Sequence, residues 1–237
     1  MEMLLKTRDQ YPVALHGVSL SIGSDSGVKE DYLAKLKKLI ERVDPIIVSD
    51  HLCWSQGPFG NSHDLLPLPF TKEALNRVLE NIDIVQTFLE RPILLENISY
   101  YLRYKESEIE ESKFIVDVCQ KSGCKLLLDL NNIFVNSENH GFDPISFVDS
   151  IPVEIIGQMH LAGPSQEKGF LFDTHSSIVP DPVWTLLERV TERGVRAPII
   201  LEWDQDIPEF SLLESEVKKA RKIRTKGVQG DHARPTP

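Results

Sequence analysis

Short apolar runs that each end in polar residues recur along this chain, separated by longer segments of helical periodicity. That alternation restricts the fold more than any other feature. The runs are Pro12 to His16, Pro45 to His51, Pro92 to Asn97, Cys124 to Asn131, Glu154 to Leu161 and Ala197 to Trp203. Helical periodicity fills Glu30 to Val43, Thr71 to Glu90, Ser107 to Lys121 and Pro182 to Arg193, with Thr71 and Ser107 as predicted N-caps. Nearly continuous apolar strands joined by crossover helices predict an α/β fold with a parallel sheet covered on both faces. No G-x-G-x-x-G or Walker A loop follows any run, so a (β/α) TIM barrel fits better than a nucleotide-binding doubly wound sheet. The reading is one domain over 1–225, then a disordered tail over 226–237 that is rich in Gly, Pro and polar residues.

Composition excludes some partners. A net charge of −10 without a basic cluster argues against nucleic acid. No apolar run approaches the roughly 20 residues of a membrane helix, and the N-terminus lacks a signal-peptide core, so a cytoplasmic protein is expected. Cys53, Cys119 and Cys124 match no metal-binding spacing and are expected to be free thiols.

The polar residues fall where a barrel keeps its chemistry. His16, His51, Glu96, Asp129, His160 and Glu202 all sit at or near the C-terminal ends of predicted strands. Asp173 and His175 lie in the loop after the fifth run, where i, i+2 spacing in extended chain turns both the same way. Asn132 joins Asp129 if the chain turns helical there. Any one of these residues is ordinarily a cap, an ion-pair partner or a hydrogen-bonded structural side chain. Yet His16, His51, His140, His160 and His175 are five of the seven histidines and cluster near these positions, while His63 and His232 do not. Packing alone does not predict this, and so many ionisable groups in one mouth call for cations. Imidazole with carboxylate and no thiolate suits iron, zinc or manganese rather than calcium or a structural zinc cage. The set exceeds the three or four ligands that one catalytic ion takes, which predicts at least two ions, with Glu96 or Glu202 as a bridge.

The strings HGVSLSIG (His16 to Gly23), VSDHLCW (Val48 to Trp54), LLPLPF (Leu65 to Phe70), LLENISYYL (Leu94 to Leu102), LLLDLNNIFVNSENHGFDP (Leu126 to Pro144), MHLAG (Met159 to Gly163), DTHSSIVPDPVW (Asp173 to Trp184) and LEWDQDIP (Leu201 to Pro208) occur in this order. They resemble the multinuclear non-haem iron-dependent oxidases of the UPF0276 family, typified by the oxidase of methanobactin biosynthesis. The resemblance implies a barrel of the xylose-isomerase type that holds two or three iron ions. It also implies use of dioxygen to modify a ribosomally made precursor peptide, often at cysteine, with a separate precursor-binding partner protein. Carried over motif by motif, the ligands are His16, His51, Glu96, Asp129, Asn132, His160, Asp173, His175 and Glu202. Family members begin with two further βα units, so this chain is expected to supply about six of the eight, with a homo-oligomer or another chain as candidate cover.

Asp50, Asn97, Asn131 and His140 are candidates to orient ligands, and Trp54, Tyr100, Tyr101, Trp184 and Trp203 to line a peptide groove or pack between elements. A zinc phosphodiesterase, a divalent-metal sugar isomerase and an inactive remnant are the competing readings, since fold alone does not separate them.

Overall fold

The computed structural model describes residues 1–57 and 60–231, with side chains through 226. Contacts divide the chain into two compact units, Met1–Leu126 and Leu127–Pro237.

The first unit opens with α1 (Glu2–Arg8), β1 (Ala14–His16) and α2 (Glu30–Val43). It continues through β2 (Ile47–His51), a hairpin of β3 (Trp54–Gly57) and β4 (Gly60–Leu66), α3 (Lys72–Leu89), β5 (Leu94–Glu96) and α4 (Glu111–Ser122). Strands β1, β2 and β5 are adjacent and parallel, with His16 opposite Ser49 and His51 opposite Glu96. This register brings the three strand-end side chains level. Helix α3 shows why the sequence folds so: Leu75, Val78, Ile82, Val85 and Leu89 repeat at three- and four-residue steps and are all buried. Thr71 caps it as predicted, accepting from Ala74 N at 3.2 Å. Ser107 does not cap α4. Its hydroxyl accepts from Phe70 N at 3.1 Å and tethers the preceding loop, so the helix begins at Glu111 instead.

Strand β6 (Lys125–Asp129) starts on the first unit, where Lys125 N donates to Ile93 O at 3.0 Å, and runs into the second. There α5 (Leu130–His140), α6 (Pro144–Ser150), β7 (Ile156–Leu161), a hairpin of β8 (Ser165–Glu167) and β9 (Phe170–Phe172), α7 (Asp181–Glu192), β10 (Ile199–Leu201) and α8 (Phe210–Asp231) follow. The predicted strand from Cys124 to Asn131 is shorter than expected, because the Asp129 carboxylate caps α5 at once and turns Asn131 and Asn132 into its first turn. Parallel β7 and β10 set His160 opposite Ile200. The tail expected from 226 onward is helical through Asp231, because a formed helix extends at one hydrogen bond per residue. Residues 232–237, and with them His232, lie outside the described residues.

Candidate metal centres

In the first unit, three strand ends converge. His16 Nε2 lies 2.9 Å from Glu96 Oε2, His51 Nε2 lies 3.1 Å from the same oxygen, and the two imidazole nitrogens are 3.3 Å apart. Glu96 is 2% exposed and His51 is 8% exposed, whereas His16 is more open.

Hydrogen bonding on the far side of each ring decides what those nitrogens present. His51 Nδ1 is 3.0 Å from the carbonyl oxygen of Gly17, a group that only accepts, so Nδ1 carries the proton. Ser49 Oγ lies 2.9 Å from His16 Nδ1 and 3.4 Å from Leu15 O, anchoring that ring from behind. Neutral, His51 therefore turns an Nε2 lone pair toward the Glu96 carboxylate, and His16 Nε2 lies beside it. Two imidazole nitrogens and a carboxylate oxygen so close form a donor set that could hold a divalent metal ion. Burial opposes a charge on His51, but Asp50 and Glu96 outweigh it and raise its pKa.

Asp50 serves the loop as well as the ring, its Oδ1 lying 3.8 Å from His51 Nδ1. Its Oδ1 accepts from His51 N at 2.8 Å and its Oδ2 from Leu20 N at 3.1 Å, and the Tyr32 hydroxyl is 3.5 Å away. A Cβ on Gly17 would run into that carboxylate and the Tyr32 hydroxyl, so a larger residue where the chain leaves β1 would displace them.

The second unit brings together Asp129, His160 and Glu202. His160 Nδ1 is 3.2 Å from Glu202 Oε2 and 3.9 Å from Asp129 Oδ2. Asp129 and His160 are buried, and Glu202 is partly open. Asp173 and His175 meet, with His175 Nε2 2.7 Å from Asp173 Oδ1, although His175 is left-handed rather than in the extended chain that the i, i+2 spacing assumed. The other ring nitrogen, Nδ1, is 3.1 Å from Asp204 Oδ2 and 3.5 Å from Glu202 Oε2. Burial disfavours a charged His175, but Asp173, Asp129 and Glu202 more than offset it and raise its pKa to about 10. Asn132 is buried in the first turn of α5, its backbone N–H donating to Asp129 Oδ1 at 2.7 Å.

Local structure fixes the Asp173–His175 loop. Asn131 Nδ2 donates to Asp173 Oδ1 at 2.7 Å, and Asn139 exchanges two hydrogen bonds with the backbone of Leu171. His175 sits at φ 49°, a left-handed conformation that costs a non-glycine residue energy and persists where surroundings impose it. Those surroundings include Ser176 N on Gly163 O at 3.1 Å and Asp204 N on His175 O at 2.8 Å.

Sequence reasoning missed Ser49, Gly17 and Asp204. Ser49 had a signal, because it lies two residues before His51 in a strand and so shares its face. Gly17 acts through its carbonyl, which no side-chain pattern reveals. Of the other candidates, Asn97 is buried, His140 ends α5, and Tyr100 and Trp184 are buried packing residues whose polar atoms bond Glu111 and Val179 O. Trp54 lines a cavity, and Tyr101 is exposed. His63 lies exposed in β4 at φ 57°. All three cysteines are buried free thiols. Among the described residues, no helix is long and apolar enough to cross a membrane.

Comparison with known proteins shows the fold and the family. The chain aligns over 99% of its length with the structure of L-ribulose 3-epimerase (84% of that chain, TM-score 0.62, 14% identity). It also aligns over 89% with a xylose isomerase-like TIM barrel protein from Mycobacterium smegmatis (73% of that chain, TM-score 0.55, 13% identity). The fold is thus the xylose isomerase-like TIM-barrel type. In sequence, it is 49% identical over 226 residues to a UPF0276 protein of Caulobacter vibrioides, covering 95% of this chain and 81% of the relative. It is 45% identical over 217 residues to one from Acaryochloris marina, covering 92% and 79%. Residues 1–225 match the model of the RiPP precursor modification enzyme MbnB/TglH/ChrH, and the chain belongs to that family of peptide-modifying enzymes.

Proposed function

We propose that this protein is a non-haem iron-dependent oxidase that uses dioxygen to modify a ribosomally made precursor peptide, often at cysteine, in the cytoplasm and with a separate precursor-binding partner protein. Two or three iron ions are held by ligands drawn from His16, His51, Glu96, Asp129, Asn132, His160, Asp173, His175 and Glu202.

The observation that carries this reading is the convergence of His16 Nε2, His51 Nε2 and Glu96 Oε2 with both imidazoles hydrogen-bonded from behind. Imidazole with carboxylate matches iron in softness, and the absence of thiolate from both groups argues against a structural zinc cage. Bound iron would supply the redox chemistry with dioxygen, and the chain's own residues supply position and charge. Ser49 and the Gly17 carbonyl hold the rings of His16 and His51 in orientation. Buried Glu96 and Asp129 provide negative charge that a bound cation offsets. Asn131 holds Asp173, and the Asp173–His175 pair carries a proton that metal loading would displace.

A divalent-metal sugar isomerase shares the fold alone, and the strand ends here lack the lysine that such an enzyme sets beside its metals.

Elemental analysis of protein purified without oxygen, with Mössbauer spectra after iron enrichment, tests the proposal. The expected result is two or more irons per chain, lost in Glu96→Ala or His160→Ala. Zinc alone with phosphodiester cleavage, or no stoichiometric metal, would overturn it.

A further inference from the structure

We propose that a cavity in the first unit, separate from the ligand triad, receives a Lys- or Arg-bearing segment of the substrate peptide; this rests on the peptide-modifying reading. The cavity measures about 970 Å³, within the size range of ligand sites. It is lined by β3, the segment before α3 and the first half of that helix, the loop before α2 and the loop after β5. Two of these segments lead directly away from proposed ligands: Trp54 follows His51 by three residues, and Tyr104 lies in the loop that leaves Glu96. The cavity is thus lined in part by segments that follow the strand ends, the side on which barrel enzymes receive substrates.

The lining has a specific chemistry. Buried Leu68 and half-buried Trp54 and Tyr104 form an apolar, aromatic part, and Trp54 is fixed by Nε1 donating to Pro67 O at 2.9 Å. Around it stand exposed carboxylates, Asp25, Glu73, Glu80 and Glu106, against a single guanidinium, Arg77. Arg77 is already shared between Asp25 at 3.2 Å and Glu80 at 2.8 Å. Among the described residues, Glu73 and Glu106 make no ion pair with any cation, so the negative charge of the rim is in excess. A lysine or arginine side chain fits both parts, since its aliphatic stem covers apolar surface, its head meets carboxylates and an aromatic face adds cation–π attraction. An acidic segment would meet repulsion from the same rim.

Binding of two synthetic hexapeptides tests this: one alternates Lys and Ala, the other Glu and Ala, each titrated into the intact protein and followed by calorimetry and tryptophan fluorescence. The Lys peptide is expected to bind at least about tenfold tighter, with the preference weakening in high salt. The double variant Glu73→Lys, Glu106→Lys is expected to remove that preference while metal content stays unchanged; Glu73→Gln, Glu106→Gln, which perturbs less, should reduce it in part. Equal binding of both peptides, or a preference that survives charge reversal, overturns the proposal. Loss of iron and turnover with the Lys preference intact would sink the oxidase reading and leave the pocket standing. Iron and turnover without any charge preference would do the reverse.

Discussion

His51 donates its Nδ1 proton to the Gly17 carbonyl oxygen at 3.0 Å, so the backbone of one strand end chooses the tautomer of a histidine on the next. The Ser49 hydroxyl lies 2.9 Å behind the His16 ring, at Nδ1, and holds its orientation. Ser49→Ala is therefore expected to leave the fold intact yet weaken metal binding by about 10- to 100-fold, the usual cost of losing such a partner. Competition against a chelator of known affinity measures this, and an unchanged affinity would show that Ser49 does not orient the ring.

Gly163 lies where the Asp173–His175 loop crosses the end of β7. A Cβ there would run into the carbonyl oxygens of Ser177 and Ile178, both backbone atoms that move only with the loop. Gly163→Ala is expected to cost about 1–3 kcal/mol, as overpacking usually does, and to displace His175. Chemical denaturation gives the first quantity, and the line width of the His175 ring resonances in NMR reports the second.

Glu111 accepts a hydrogen bond from Tyr100 Oη at 2.8 Å. Burial raises its pKa to about 7, against the lowering effects of that bond and of Arg103. Because the folded value exceeds the unfolded one of about 4.5, the folded state binds the extra proton. The associated stability is full below about pH 4.5 and is lost as pH rises through about 7. Glu111→Gln is expected to flatten the stability profile across that window and to be relatively more stable at pH 8. Melting temperatures from pH 4 to 8 decide it: equal slopes in both proteins would count against the assignment.

Asn81 holds the loop before α2 from the buried side of α3, donating to Ile22 O at 2.8 Å and Ser24 O at 3.0 Å. Asn81→Ala leaves buried carbonyls without their donor, an expected loss of about 1–3 kcal/mol. The loop backbone should become faster in hydrogen exchange than the α3 helix itself. Equal protection of both would refute the coupling.

The parallel strands were legible because buried strands are written as uninterrupted apolar runs, and the ligand candidates because each run ended on a group that burial penalises. Helix α3 could be read from Leu75 to Leu89 and from Thr71 before it. Ser107 misled, because a serine before a helical pattern caps it only if the chain geometry permits, and here its hydroxyl was taken by Phe70 N. The β3–β4 and β8–β9 hairpins escaped notice: Trp54–Gly57 and Ser165–Glu167 carry little apolar alternation, and backbone pairing holds them. Asp173 and His175 were found by spacing, whereas Asp204 was hidden by its distance along the chain from the histidine it meets.

Asp129 divides its two oxygens between tasks. One caps α5 through Asn132 N at 2.7 Å, while the other faces His160 at 3.9 Å. The carboxylate thereby acts as a lever between a helix and a site, because any cation that draws on one oxygen rotates or polarises the other. Amide protection in the first turn of α5 would then report occupancy of the proposed site without a metal signal of its own.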